Sequence, residues 1–221
     1  MKNVFLVMAF TIMATNITAQ KNFTNDVIVS GAIEIGGNYW EQFGRHATGN
    51  VALYSEIYAV HKSGFGIAYF AYDDFSTEKI GRLRLFDAFY SYTWENAALY
   101  TALEYISYDN WHDGVSIMPY TIATLSYGTW SYEVAPMLIC FPHFDQNKYE
   151  FIAYGKIKKN ILRDIDIHAT LWYDNMYEKH FYGAVGAELN LPKDWYIKTN
   201  LLYRDEKFTP FISLGWRFTT D

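Results

Sequence analysis

The sequence predicts an all-β fold, a transmembrane antiparallel up-and-down β-barrel of about 12 strands (10–12), and three observations predict it. Apolar and polar residues alternate with period two through most of the chain. The alternating segments run to roughly 10 residues or more, long enough for a tilted strand to cross a bilayer, where ordinary globular strands average about 5–6. The links between them are by turns short and long, which is the loop asymmetry of a barrel that crosses a membrane.

In chain order, the first element is a secretory signal over residues 1–19. Lys2 supplies the positive charge, Val4 to Met13 form an apolar run, and Ile17-Thr18-Ala19 offer small residues for cleavage near Ala19, before Gln20. The run is shorter than the ~20 residues of a spanning helix, which argues against a retained anchor. The barrel domain is then expected over 20–221. Strands are expected at 26–40, 50–61, 64–73, 82–94, 96–108, 114–127, 129–141 and 148–158, followed by four with cleaner patterns. In 165–174, Ile165, Ile167, Ala169, Leu171 and Tyr173 oppose Asp166, His168, Thr170, Trp172 and Asp174. In 181–191, Phe181, Val185, Ala187, Leu189 and Leu191 face away from Tyr182, Glu188 and Asn190. In 195–204, Trp195, Ile197, Thr199, Leu201 and Tyr203 alternate with polar or aromatic neighbours, and 210–218 ends the chain in the same way at Phe218. Long links are expected around 41–49, 74–81, 109–113, 142–147 and 174–178. Short ones are expected at Lys62-Ser63-Gly64, Glu95-Asn96, Gly128-Thr129, 159–163 and Pro192-Lys193-Asp194. In 82–94, Arg84 and Asp87 fall on opposite faces, which a bulge would reconcile.

Composition narrows the function classes. A net charge of -6 supplies no basic footprint for nucleic acid. Cys140 is the single cysteine, so neither a disulfide framework nor a thiolate zinc cluster is available. Aromatics make up 19% of the chain, with 20 Tyr against 5 Pro, a content suited to the amphipathic girdles at membrane interfaces.

The signal, the alternating strands and the closing Phe211 to Phe218 strand resemble Gram-negative outer-membrane β-barrel proteins. The ending departs from that pattern, because Thr219-Thr220-Asp221 follow the last aromatic. The resemblance is architectural and spans the mature chain. It implies location in a bacterial outer membrane, with membrane lipid or lipopolysaccharide around the barrel and transient contact with barrel assembly machinery. The size and strand number are similar to small porin-like channels, which implies passive diffusion of polar solutes.

With the apolar faces in lipid, the other faces fill the interior. The residues expected to line a pore are Glu34, Glu56, Asp87, Glu104, Glu133, Glu150, Lys156, Asp166, His168, Glu188, Lys198, Arg204 and Arg217, with Lys158 at a rim. The acids are spread over most strands, whereas the bases fall in the last five. A field across a narrow passage of low dielectric can select polar solutes, while the same charges, paired with one another, can plug it. Outer-link residues Trp40, Phe43, Phe75, Trp111, His112, Phe144 and Tyr177 offer rings that either stack sugars or anchor at the headgroups.

No catalytic residue is assigned. A hydrolase needs a nucleophile and base in mutual reach with a third group orienting the base. His61 and Ser63 come nearest but run into a turn, and His168 beside Asp166 and Thr170 lacks a nucleophile. Asp73-Asp74 are expected in a loop. His112-Asp113 and His143-Phe144-Asp145 lack the repeating spacing of a metal site, and no metal or cofactor is expected. Besides a channel, an outer-membrane enzyme acting on lipid or lipopolysaccharide, a closed accessory barrel and a soluble secreted β-protein remain as alternatives. Solute and oligomeric state are not legible.

Overall fold

A strand that alternates apolar and polar residues has two faces, and in this chain the apolar one points outward. The computed structural model describes residues 26–40, 43–75, 81–108, 115–140, 149–175, 180–204 and 206–220. The expected signal segment 1–19 and its expected cleavage point lie outside these residues, as do Trp111, His112, Asp113, His143, Phe144, Asp145 and Tyr177.

Twelve strands follow one another: β1 (Val27–Trp40), β2 (Phe43–His61), β3 (Phe65–Asp74), β4 (Gly81–Thr93), β5 (Ala97–Tyr108) and β6 (Val115–Tyr127), then β7 (Trp130–Cys140), β8 (Tyr149–Leu162), β9 (Ile165–Asp174), β10 (His180–Asn190), β11 (Trp195–Arg204) and β12 (Lys207–Thr219). Each pairs antiparallel with its sequence neighbours, and β1 pairs with β12 to close the barrel, Ser30 opposite Thr219 through Gly36 opposite Ser213. Closure leaves no strand edge unpaired. The start of β1 and the end of β12 share one rim, where the Val29 amide donates to Thr220 Oγ1 at 3.0 Å.

Sidedness follows residue parity. On the outer surface Ile67 is 65% exposed, Val134 58% and Ile212 64%. Their chain neighbours Ala68, Glu133 and Ser213 are buried. This inverts the arrangement of a water-soluble domain, and a continuous apolar band of this kind calls for a hydrocarbon surround. Aromatic rings gather at both ends of the band. Near the rim of the short turns are Phe65, Tyr90, Tyr92, Trp94, Tyr127, Trp130, Tyr132 and Trp216. Toward the other rim, Phe151, Tyr173 and Phe181 run ring to ring across β8, β9 and β10, as do Tyr203 and Phe208. Such belts mark the two interfaces of a bilayer.

Five sequence expectations need correction. The link expected over 41–49 is largely strand, because β2 begins at Phe43 and pairs back onto β1 with register shifts on either side of Asn38. The 159–163 turn is shorter than expected, since β8 continues to Leu162 through an irregularity after Asn160. No register shift interrupts β4. Arg84 stays on the outer face and bonds Asp73 of β3 at 2.7 Å, so Asp73 and Asp74 end a strand instead of lying in a loop. The loop alternation also fails twice on the long side, where only residues 41–42 separate β1 from β2 and only 205–206 separate β11 from β12.

Candidate functional site: the barrel interior

All the interior side chains named from the sequence lie on the inward faces. Glu34, Glu56, Asp87, Glu104, Glu133, Glu150, Lys156, Asp166, His168 and Glu188 are buried, and Lys198, Arg204 and Arg217 are half-buried. The structure brings some of them together and keeps others apart.

Glu34 of β1 is the best-connected acid. It accepts hydrogen bonds from Tyr196 Oη at 2.8 Å, Ser213 Oγ at 2.7 Å and Lys198 Nζ at 3.0 Å. Two of those donors stand on β11, with β12 between. The reach is possible because Gly215, opposite Glu34 on β12, has no side chain: a Cβ there would lie 2.6 Å from Tyr196 Cε1. The same device recurs one strand pair away. His168 of β9 bonds Asn200 Oδ1 of β11 at 2.8 Å across Gly186 of β10, where a Cβ would lie 2.7 Å from His168 Nε2.

Toward the short-turn rim, Arg217 bridges Glu188 at 2.8 Å and donates to Asn190 Oδ1 at 3.0 Å. Lys158 is placed here too, 3.4 Å from Asp166, which also accepts from Asn160 Nδ2 at 2.9 Å. His168 and Asp166 thus have different partners, Asn200 for the first and Asn160 and Lys158 for the second.

On the opposite wall the acids are covered by phenols. Glu56 accepts from Tyr54 at 2.6 Å and Tyr58 at 3.2 Å, Asp87 from Tyr100 and Tyr120, and Glu133 from Tyr154. Glu104 differs. It is fully buried opposite Asp87 on β4 and Met118 on β6, and neither of its oxygens accepts a hydrogen bond from the described residues.

These phenols were missed by reading tyrosine only as a girdle residue. The signal was present in parity: Tyr58, Tyr100, Tyr120, Tyr154 and Tyr196 all stand on the polar faces of their strands. Hydrogen bonds to charged groups are worth more than neutral ones, about 1.5–3 kcal/mol, so burying an acid beneath a phenol is favourable where burying it alone is not.

The result is an asymmetry in what remains accessible. In the ion pairs Lys158–Asp166, Lys198–Glu34 and Arg217–Glu188 of the interior, the cations keep 16–17% of their side-chain surface and the acids 0–7%. Lys156, Lys158, Lys198, Arg204 and Arg217 are the inward-facing bases, and they stand on β8, β11 and β12. The wall from β3 to β7 presents Phe70, Leu85, Ile106, Met118 and Met137 instead.

His61 Nδ1 lies 2.8 Å from Ser63 Oγ and also accepts the Ser63 amide at 3.2 Å, so the contact caps the exposed β2–β3 turn. Beside it, Lys62 Nζ bonds Asp26 at 2.6 Å and holds that carboxyl below the usual carboxylate range. Phe75 is exposed; of Trp40 and Phe43 only the backbone pairing is described. Among the described residues no group of three or more His, Cys, Asp or Glu is placed to hold a metal ion.

No protein-family model and no curated protein matches this sequence. Solved structures do. A KdgM porin in complex with disordered oligogalacturonate superposes with a TM-score of 0.64 at 12% identity, over 86% of this chain and 99% of that one. A second KdgM porin structure gives 0.61 at 12% identity, over 88% and 99%. A NanC porin gives 0.54 at 10% identity, over 88% and 98%. The fold is that of small outer-membrane porins.

Proposed function

We propose that this chain is an outer-membrane channel that passes polar solutes by passive diffusion and prefers anions. An N-terminal segment 1–19 directs export, and the barrel over 20–221 sits in lipid and lipopolysaccharide after insertion by the barrel assembly machinery. The observation that carries the anion preference is the unequal exposure within the interior. Glu34, Glu56, Asp87, Glu133 and Asp166 are capped by phenols, a hydroxyl or an amide, while Lys158, Lys198, Arg204 and Arg217 are only half-buried. Although the whole chain carries a charge of -6, a solute inside meets cationic groups first. Low-dielectric walls strengthen that field, and several bases give an acidic solute successive sites to move between. The porin known to bind oligogalacturonate has the same fold, which supports an acidic oligosaccharide as one solute class to examine.

The test is the reversal potential under a salt gradient in a planar bilayer. The wild type is expected to reverse on the anion side, and Lys156→Gln with Arg204→Gln to move it toward zero. A cation-side reversal, or one the two substitutions leave unchanged, contradicts the proposal.

A further inference from the structure

The wall from β3 to β7 holds two acids that face each other. Asp87 of β4 stands opposite Glu104 of β5, in a ladder that runs without a register shift from Leu83 with Tyr108 to Thr93 with Ala98. On this seam the Trp94 amide donates to Ala97 O, so the hydrogen-bonded rungs join even-numbered residues of β4 to odd-numbered residues of β5. Asp87 and Glu104 therefore occupy a narrow, non-hydrogen-bonded rung, where Cα atoms stand about 4.5 Å apart and side chains come closest. Both are inward and buried, Glu104 completely, and the two carboxyls are within hydrogen-bonding reach of each other.

They differ in what else they meet. Asp87 Oδ2 accepts from Tyr100 Oη at 2.8 Å and from Tyr120 Oη at 2.5 Å, while Asp87 Oδ1 and both Glu104 oxygens accept nothing from the described residues. The titratable groups around the pair are phenols, Tyr58 of β2, Tyr100 of β5 and Tyr120 of β6. Among the described residues no base faces inward on β3 to β7. The remaining inward neighbours are apolar and at most 1% exposed: Phe70, Leu85, Ile106 and Met118. Two carboxylates side by side in such a wall repel each other and lose their hydration together, so the second charge has to be neutralised. Three open oxygens fall short of the roughly six or more ligands that a calcium or magnesium ion gathers. One proton suffices.

We infer that Asp87 and Glu104 form a proton-binding site: they share one proton, carried on Glu104 and donated to Asp87 Oδ1, so that the pair brings one negative charge to the interior instead of two. Asp87 is the ionised member because it collects the two phenols and Glu104 as donors, and hydrogen bonds to the charged form favour that form. The same proton gives the open Asp87 oxygen its partner. In the unfolded chain at neutral pH a glutamate is ionised, so keeping Glu104 neutral still costs stability that an apolar side chain would not. Burial and register place the proton. Its consequence for selectivity rests on the channel reading above: with Glu104 uncharged, the bases of β8, β11 and β12 meet one acid fewer.

The experiment uses the full barrel refolded in bilayers at neutral pH, with two readouts. In infrared spectra the carbonyl stretch of a protonated carboxylic acid should be present, should shift when glutamate carboxyls are isotopically labelled, and should lose intensity in Glu104→Gln. The reversal potential under a salt gradient should be the same in Glu104→Gln as in the wild type, because the amide replaces an uncharged acid and can donate to Asp87 in its stead. Asp87→Asn with Glu104→Gln removes the pair's one charge and should move the potential further to the anion side. A heat-modifiable gel shift verifies folding of each variant. No protonated glutamate band in the wild type, or one that Glu104→Gln leaves intact, overturns the shared proton. So does a reversal potential that Glu104→Gln alone moves to the anion side. A band that emerges only after a chelator removes divalent cations overturns it in favour of a bound metal ion. If neither variant moves the potential, the pair's part in selectivity is overturned. A silent barrel that keeps the band overturns the channel reading and leaves the shared proton standing.

Discussion

Gly215→Ala tests how the interior network is built. The added Cβ is fixed by the backbone, 2.6 Å from Tyr196 Cε1 where ordinary contact begins near 3.4 Å, so the ring has to move. Arg217 also holds that ring, its guanidinium carbon 3.9 Å from the centroid. Moving the phenol forfeits its bond to Glu34, a hydrogen bond to a charged group worth about 1.5–3 kcal/mol, and adds overpacking of about 1–3 kcal/mol. The expected loss is about 3–5 kcal/mol of unfolding free energy, read by urea titration of the reconstituted barrel with tryptophan fluorescence and gel mobility. The control is a double-mutant cycle. In a Tyr196→Ala background no ring opposes the new methyl, and Gly215→Ala should then cost less than about 0.5 kcal/mol. An equal cost in both backgrounds, or none in the wild type, refutes the idea that the glycine exists to let Tyr196 reach across a strand.

Two further predictions concern single groups. Glu104→Leu should raise the urea midpoint by the equivalent of about 1–3 kcal/mol, since both buried oxygens lack donors among the described residues and an apolar side chain suits the Met118 surroundings; a lower midpoint would mean that the carboxyl is stabilised by a partner. At the rim, the carboxylate carbon shift of Asp26 should titrate below the usual range. The Lys62 contact favours the folded state at neutral pH and is lost as pH falls through that depressed value. Lys62→Met should move the titration back up, and an unchanged midpoint would remove the ion pair as its cause.

Much of the fold was legible because a lipid-facing strand has to alternate, and β9 to β12 do so residue by residue. What escaped the sequence depended on neighbours far along the chain. Phe43 to Asn50 contain Arg45, His46, Thr48, Gly49 and Asn50, so their side chains carry no alternation, and only backbone pairing with β1 makes them strand. Arg84 needs no bulge, because its partner Asp73 belongs to another strand and lies on the outer face. The charged interior residues could be named from parity alone. Which of them would remain accessible could not, because that is decided by phenols on the same, the adjacent or the next-but-one strand, and by the two glycines across which Tyr196 meets Glu34 and His168 meets Asn200. Gly186 and Gly215 are visible in the sequence, but their role exists only once the register sets them between His168 and Asn200, and between Tyr196 and Glu34.

The most direct test of the account is single-channel recording of the purified, refolded barrel in a planar bilayer. The account predicts discrete conductance steps whose reversal potential, under a salt gradient, lies on the anion side. A barrel shown to be folded and inserted yet silent would contradict the channel and mean that the phenol- and salt-bridge-filled interior is closed.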